Sequence, residues 1–181
     1  MSPKAFHAAA RDGNVELVQS FLQGQAAVDL RDSGGATPLF TAPTHGHEAC
    51  VRVLLDGGAD ISEGGFNALY LACEEGHTVC AAALLDAGAD INCPQESGWT
   101  ALMAAAKEGH FDALQLLLQR GADVHQKDGS EESGALYFAC YESHTACAAA
   151  LLDVGADVND PMEDGWTALM NAACRGHLDM L

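Results

Sequence analysis

Residues 67–106 read NALYLACEEGHTVCAAALLDAGADINCPQESGWTALMAAA, and residues 134–173 read GALYFACYESHTACAAALLDVGADVNDPMEDGWTALMNAA. The two stretches agree at most positions across an offset of about 67 residues. Self-similarity at a fixed spacing indicates a repeat architecture.

Three short landmarks recur in one order and give a shorter period of about 33 residues. A triplet marks the start of each copy, at Thr37-Pro38-Leu39, Asn67-Ala68-Leu69, Thr100-Ala101-Leu102, Gly134-Ala135-Leu136 and Thr167-Ala168-Leu169. A Gly-His pair follows at Gly46, Gly76, Gly109 and Gly176, and Gly-Ala-Asp begins at Gly58, Gly88, Gly121 and Gly155. A degenerate first copy starts at Lys4, with Gln25 in the place of the Gly-Ala-Asp glycine. The repeated block is thus two copies of a shorter unit.

Each copy predicts a helix, a tight turn, a second helix and a hairpin loop. The threonine before the triplet can cap the first helix, and Pro38 fits a first helical position. The glycine of Gly-His ends that helix, and a Leu-Leu pair marks the second helix. Neither helix can bury its apolar face alone, so stacked copies must supply the core.

The order of these motifs resembles the ankyrin repeat, and the resemblance covers essentially the whole chain. It implies an all-α repeat solenoid with about five full repeats and a truncated sixth. We expect a single ankyrin-repeat domain over residues 1–181, with repeats at about 4–36, 37–66, 67–99, 100–133, 134–166 and 167–181. Because the last copy stops without a polar cap, we expect the chain to be a piece of a longer protein. The family's histidine after the triplet survives only as His7, and apolar packing is expected to replace it elsewhere.

The chain is strongly acidic, with 26 Asp and Glu against 8 Lys and Arg and a net charge of −18. Such a field repels phosphate backbones and anionic membranes, so neither nucleic acid nor a membrane is an expected partner. Seven cysteines, most at core positions of the repeat, are typical of a reducing compartment. We expect a monomer in the cytoplasm or nucleus.

No catalytic or metal motif stands out. Cys73, His77 and Cys80 have ligand types that zinc accepts, and Cys140, His144 and Cys147 repeat them. Each of these residues holds a structural place in the repeat and a fourth ligand is lacking, so a packed core is favoured over a metal site. We expect a non-enzymatic chain without cofactor or metal.

Asn92 and Asn159 stand in the hairpin after Asp-Ile and Asp-Val. Under the ankyrin resemblance, such asparagines are similar to targets of asparaginyl hydroxylation. The alternative, which we favour, is that each side chain bonds the loop backbone.

The resemblance implies a concave surface made by the hairpin tips and the first helices, where the copies vary. Both tryptophans of the chain fall there, and aromatic side chains in a groove are favoured binding anchors. The alternative is that they brace neighbouring hairpins. If copies stack at roughly 10 Å, the two indoles lie about 20 Å apart. The candidate residues are Phe66, Glu74, Glu75, Trp99, Lys107, Glu108, Tyr141, Glu142, Trp166 and Arg175.

The sequence therefore predicts a non-catalytic protein–protein interaction scaffold. The expected partner is a protein segment that carries Lys or Arg with apolar anchors, drawn by steering and cation–π contact. The alternatives are an interaction or substrate-receptor arm of a larger enzyme or channel, such as a ubiquitin-ligase adaptor, or a substrate of asparaginyl hydroxylation.

Overall fold

The computed structural model describes residues 3–62, 67–130, 133–177 and 179. These residues form eleven α-helices and no β-strand, with two isolated antiparallel bridges at Lys127–Gly134 and Pro161–Thr167. The helices are α1 (Pro3–Arg11), α2 (Val15–Gln23), α3 (Pro38–Thr44), α4 (Glu48–Asp56), α5 (Ala68–Glu74), α6 (Thr78–Asp86), α7 (Ala101–Glu108), α8 (Phe111–Gln119), α9 (Ala135–Tyr141), α10 (Thr145–Asp153) and α11 (Ala168–Arg175).

The helices come in pairs joined by two or three residues, from α1 with α2 to α9 with α10. This arrangement confirms the predicted all-α repeat fold. The chain divides into two compact units, residues 1–90 with α1 to α6 and residues 91–181 with α7 to α11. The repeat boundaries proposed from the sequence remain a prediction.

The first helix of most copies begins where the sequence predicts it. The side chains of Thr37, Asn67, Thr100 and Thr167 each accept a hydrogen bond from the backbone N–H three residues later. This bond satisfies one of the donors that a helix start leaves unpaired. Pro38 opens α3, as expected. α9 differs, because Gly134 has no side chain with which to cap it.

In the first unit, the helices form two layers. α3 lies between α1 and α5, and α4 lies between α2 and α6. Phe6, Leu39 and Leu69 are buried from the first helices, and Val18, Leu54 and Leu84 are buried from the second helices. The Leu-Leu pairs of the sequence thus contribute their first leucine to this core.

The second unit repeats the arrangement. α9 lies between α7 and α11, and α8 contacts α10. Leu102, Met103, Leu114, Leu117 and Leu151 are buried between these layers.

The turn between paired helices needs a backbone with positive φ. Gly109 ends α7 at φ 74°, a conformation that costs glycine little because it has no Cβ. Ser143 holds the same place in the fifth copy at φ 63°. The histidine ring of the next copy lies over this turn, so that His144 contacts Gly109 and His77 contacts Gly46. A Cβ at Gly46 would lie 2.8 Å from the His77 ring, so both the φ angle and the close approach select glycine.

No helix in the described part of the chain is long and apolar enough to cross a membrane.

Candidate partner-binding surface

Two of the predicted acidic residues end α5 in the first unit. Glu74 is its last residue and accepts a hydrogen bond of 3.0 Å from the hydroxyl of Tyr70. Glu75 follows as the C-cap and is exposed. Phe66 lies outside the described residues. The first unit therefore presents two adjacent carboxylates, one of them oriented by a tyrosine.

The indole ring of Trp99 packs against an aromatic ring of the second unit. Its indole lies 4.2 Å from the ring of Phe138, measured between centroids. The ammonium nitrogen of Lys107 lies 5.6 Å from the Trp99 ring and also 3.1 Å from a carboxylate oxygen of Glu108. These contacts bring together three of the predicted site residues. They agree with the alternative given above, in which Trp99 braces neighbouring parts of the fold.

Trp166 is more exposed, at 41% of its surface. The loop before it is closed by two hydrogen bonds, from the Met162 N–H to the Trp166 carbonyl at 2.8 Å and from the Trp166 N–H to Asp164 Oδ1 at 3.0 Å. The indole is therefore presented from a tight turn.

An open cleft of about 480 Å³ adjoins Trp166. Its other lining residues are Tyr137, Met162, Glu163, Asp164 and Asn171. The amide nitrogen of Asn171 donates to the Tyr137 hydroxyl at 3.1 Å. The cleft combines aromatic walls with two carboxylates, a lining that suits a cation.

Tyr141 and Arg175 also meet in the second unit. The Arg175 guanidinium lies 3.8 Å from the centre of the Tyr141 ring, a cation–π contact. Glu142 is the next residue and is exposed.

Sequence reasoning missed Tyr137, Phe138, Met162 and Asn171. The available signal was Leu136-Tyr137-Phe138, because two adjacent aromatic residues follow the triplet leucine in the fifth copy alone. Apolar packing was expected to replace the family's histidine after the triplets; Met103 is buried, whereas the hydroxyls of Tyr70 and Tyr137 also form hydrogen bonds with Glu74 and Asn171.

A second cleft, of about 720 Å³, lies in the first unit. Lys4, Arg11 and Arg31 line it, which are three of the eight basic residues of the chain. Arg11 is paired with Asp12 at 2.9 Å. The N–H groups of Gly34 and Ala36 hold the pKa of Asp32, at the rim of this cleft, below its ordinary value. The charged residues are therefore unevenly distributed, because this cleft gathers three basic side chains in an acidic chain.

The cysteines considered as metal ligands are buried thiols. Burial raises the pKa of Cys73 to about 12 and those of Cys80 and Cys140 to about 11, since the thiolate form loses its hydration. Within the described residues no group of three or more His, Cys, Asp or Glu side chains could hold a metal ion. The rings of His77 and His144 lie instead over turn glycines.

The two hairpin asparagines differ. The side-chain oxygen of Asn92 accepts a hydrogen bond of 2.9 Å from the backbone N–H of Asp123, in the loop of the next copy. Asp29 accepts a bond of 3.1 Å from Asp60 in the same way in the first unit. Asn159 is exposed, and its own N–H donates to Asp157. Asn92 thus links two loops, whereas Asn159 offers its side chain to solvent.

Comparison with known proteins gives local likenesses along the chain. The chain is 47% identical over 55 residues to "Ankyrin repeat domain-containing protein 29" of Danio rerio, covering 30% of this chain and 18% of that protein. It is 43% identical over 58 residues to "E3 ubiquitin-protein ligase KEG" of Arabidopsis thaliana, covering 32% and 4%, and 43% identical over 49 residues to "Potassium channel AKT2/3" of the same plant, covering 27% and 6%. The matched part of the chain therefore spans less than a fifth of each of these relatives.

The family profile described as "Ankyrin repeats (3 copies)" matches residues 2–64, 60–128 and 129–181, which is nearly the entire chain. Together with the paired helices, the capped helix starts and the histidine-covered turns, this match shows that the chain belongs to the ankyrin-repeat family.

Proposed function

We propose that this chain is a non-catalytic scaffold that binds a segment of a partner protein. Ankyrin repeats are generally protein–protein interaction modules, and the whole chain matches that family. The proposed surface consists of the loop tips and first helices, which carry Glu74, Glu75, Trp99, Lys107, Glu108, Tyr141, Glu142, Trp166 and Arg175, with Phe66 as a further candidate.

The observation that carries the proposal is the exposed indole of Trp166 beside an open, acidic cleft. A large aromatic side chain held half-exposed buries much area on binding at a low cost in rotamer entropy. Side chains that packed helices and tight turns already hold in place also add less ordering cost on binding.

The proposed partner segment carries Lys or Arg together with apolar side chains. The net charge of −18 speeds the encounter with a basic segment, and aromatic rings contribute cation–π contacts once it is bound. Such a complex weakens as salt screens the charges.

Selection from a displayed peptide library with the intact chain tests the proposal. Selected peptides are expected to be enriched in Lys or Arg next to apolar residues. The variant Trp166→Ala should then weaken their binding by at least about tenfold, because truncation of a central aromatic anchor costs about 1 to 2 kcal/mol or more.

The matched control is Gln115→Ala, an exposed position on the second-helix layer of the same unit. Its affinity should equal that of the wild type. Trp99 is better replaced by Phe than by Ala, because its contact with Phe138 also supports the fold. Selection of acidic or uncharged peptides, or equal binding by Trp166→Ala with unchanged circular dichroism, would contradict the proposal.

The alternative is that the chain serves as the interaction arm of a larger enzyme or channel, in the manner of a substrate receptor. Two relatives named as a ubiquitin ligase and a potassium channel match the chain over only 4% and 6% of their length, which supports this interpretation. Mass measurement of the native protein and sequencing of its termini would decide it.

Asparaginyl hydroxylation stays a further proposal for Asn92 and Asn159. The exposed side chain of Asn159 is the more accessible of the two, because Asn92 is held by the Asp123 N–H. Peptide mass spectrometry should find an added oxygen at Asn159 first, and its absence at both sites in protein from the native cell would reject the idea.

A further inference from the structure

Trp99 ends the third copy, and the fourth copy supplies a cation to it. Lys107 is placed eight residues after Trp99 and holds its ammonium group 5.6 Å from the indole, while Glu108 pairs with it. The Trp99 ring is further covered by Phe138. At Trp99, the aromatic site is thus already filled by side chains of the chain itself.

Trp166 ends the fifth copy in the same way, but the sixth copy supplies no such cation to it. Cys174 stands eight residues after Trp166, where Lys107 stands after Trp99, and it is exposed and not a basic residue. Arg175, the next residue, is directed to the Tyr141 ring at 3.8 Å. Among the described residues that line the cleft beside Trp166, none is basic.

The cleft beside Trp166 is large enough and charged enough to take that missing cation. Its volume of about 480 Å³ exceeds that of any single side chain. Glu163 and Asp164 contribute two carboxylates to its lining, and Lys127, a basic residue near this loop, is paired with Asp160 at 2.7 Å instead. Tyr137 and Trp166 supply the aromatic walls that favour a cation in contact.

We propose that this cleft receives one basic side chain, lysine or arginine, of the partner segment. The inference rests on the proposed function and names the anchor that this site recognises. The ammonium or guanidinium group lies against Trp166 and near the Glu163 carboxylate, as Lys107 lies against Trp99 and beside Glu108. The Trp166 site thereby selects for positive charge, while the Trp99 site does not.

The chain has two tryptophans, so their two indole N–H signals in a proton–nitrogen NMR spectrum report on the two sites separately. The spectrum of Trp99→Phe assigns them. The basic probes are Nα-acetyl-lysine amide and Nα-acetyl-arginine amide, whose side chains keep their positive charge. The control is Nα-acetyl-citrulline amide, which has nearly the shape of the arginine probe but no charge. We expect the basic probes to shift the Trp166 signal in a saturable way with a millimolar dissociation constant, and to shift the Trp99 signal at least about fivefold less. Citrulline amide should cause no saturable shift.

Two variants sharpen the test. Cys174→Lys supplies the internal cation and should weaken the basic probes at Trp166 by at least about fivefold. Glu163→Gln removes one carboxylate and should weaken them by about threefold or more. Asp112→Asn, an exposed position in the first turn of α8, makes the same change in net charge and should have no effect beyond about 1.5-fold.

The proposal is overturned if citrulline amide shifts Trp166 as strongly as arginine amide, if neither basic probe shifts it up to about 50 mM, or if Cys174→Lys binds as the wild type does. Because the probes are single amino-acid amides, these outcomes do not depend on a partner being found. If selected peptides bind but the amides do not, the interaction function stands and this anchor site falls. If the amides bind but no peptide is selected, the anchor site stands and the proposed interaction function falls.

Discussion

Two residues other than glycine have a positive φ angle at positions where other copies have glycine. Gln25 has φ 61° and Ser143 has φ 63°, at the places held by Gly58 and Gly109 in other copies. A side chain in the left-handed region costs about 1 to 2 kcal/mol, because Cβ approaches the backbone oxygen.

Ser143→Gly and Gln25→Gly should each stabilise the protein by about 0.5 to 1 kcal/mol, because the relief of strain exceeds the entropy that glycine adds to the unfolded chain. Urea unfolding measures the gain. The control is Thr145→Gly at the start of α10, where the backbone is helical and glycine relieves no strain. That control should destabilise the protein, and a loss of stability in Ser143→Gly would contradict the role of strain.

The close approach at the turn can be separated from backbone strain by two matched substitutions. Gly109→Ala should cost about 2 to 4 kcal/mol, from the positive φ and from the overlap of the new methyl group with the His144 ring. Gly121→Ala has a similar φ of 86° but no atom within 4 Å of the new methyl group, and should cost about 1 kcal/mol. Equal losses in thermal and urea unfolding would show that the ring contact adds nothing.

At the scale of the helix, α9 begins without a side-chain cap, whereas α3, α5, α7 and α11 each have one. Gly134 has extended φ and ψ close to those of the capping Thr100, and a Cβ there would meet only the Gln126 carbonyl at 3.6 Å. A threonine can therefore be accommodated in the geometry of a cap.

Gly134→Thr should stabilise the protein by about 0.5 to 1 kcal/mol, through the cap and through lower entropy of the unfolded chain. The control is Gly134→Ala, which lowers the entropy of the unfolded chain but cannot form the cap. If the two variants have the same midpoint in urea, the cap does not form.

The helix starts and turns could be predicted from the sequence because they depend on residues that are close in the chain. Thr100 caps α7 through a bond only three residues away, and Gly109 ends the same helix. The contact of Trp99 with Phe138 could not be predicted in this way, since it joins side chains from two copies whose rotamers depend on how those copies pack. The same holds for Tyr137 and Asn171, which no local pattern in the sequence connects.

At the scale of the whole molecule, the buried thiols couple stability to pH. Cys73, Cys80 and Cys140 have raised pKa values of about 12, 11 and 11, whereas the pKa of an unperturbed thiol is about 9. The unfolded chain therefore releases these protons at a lower pH than the folded chain. The stabilisation is complete below about pH 9 and is lost as the pH rises through the folded-state values.

The free energy of unfolding should fall between about pH 9 and about pH 12, and the triple variant Cys73→Ala, Cys80→Ala and Cys140→Ala should show a shallower decline. Lysine and tyrosine titrate in the same range, so the difference between the two slopes is the measurement. Parallel pH profiles in urea unfolding would contradict a contribution from the thiols.

The histidine that lies over the preceding turn has a consequence for hydrogen exchange. The N–H of His110 closes the turn by bonding the Ala105 carbonyl, next to the glycine that His144 covers from the following copy. An opening of the fifth copy that moves His144 away exposes the turn around this amide, so we expect its protection to depend on a neighbour as well as on its own helix. Within a unit, local fluctuations are thus transmitted backward, from one copy to the copy before it.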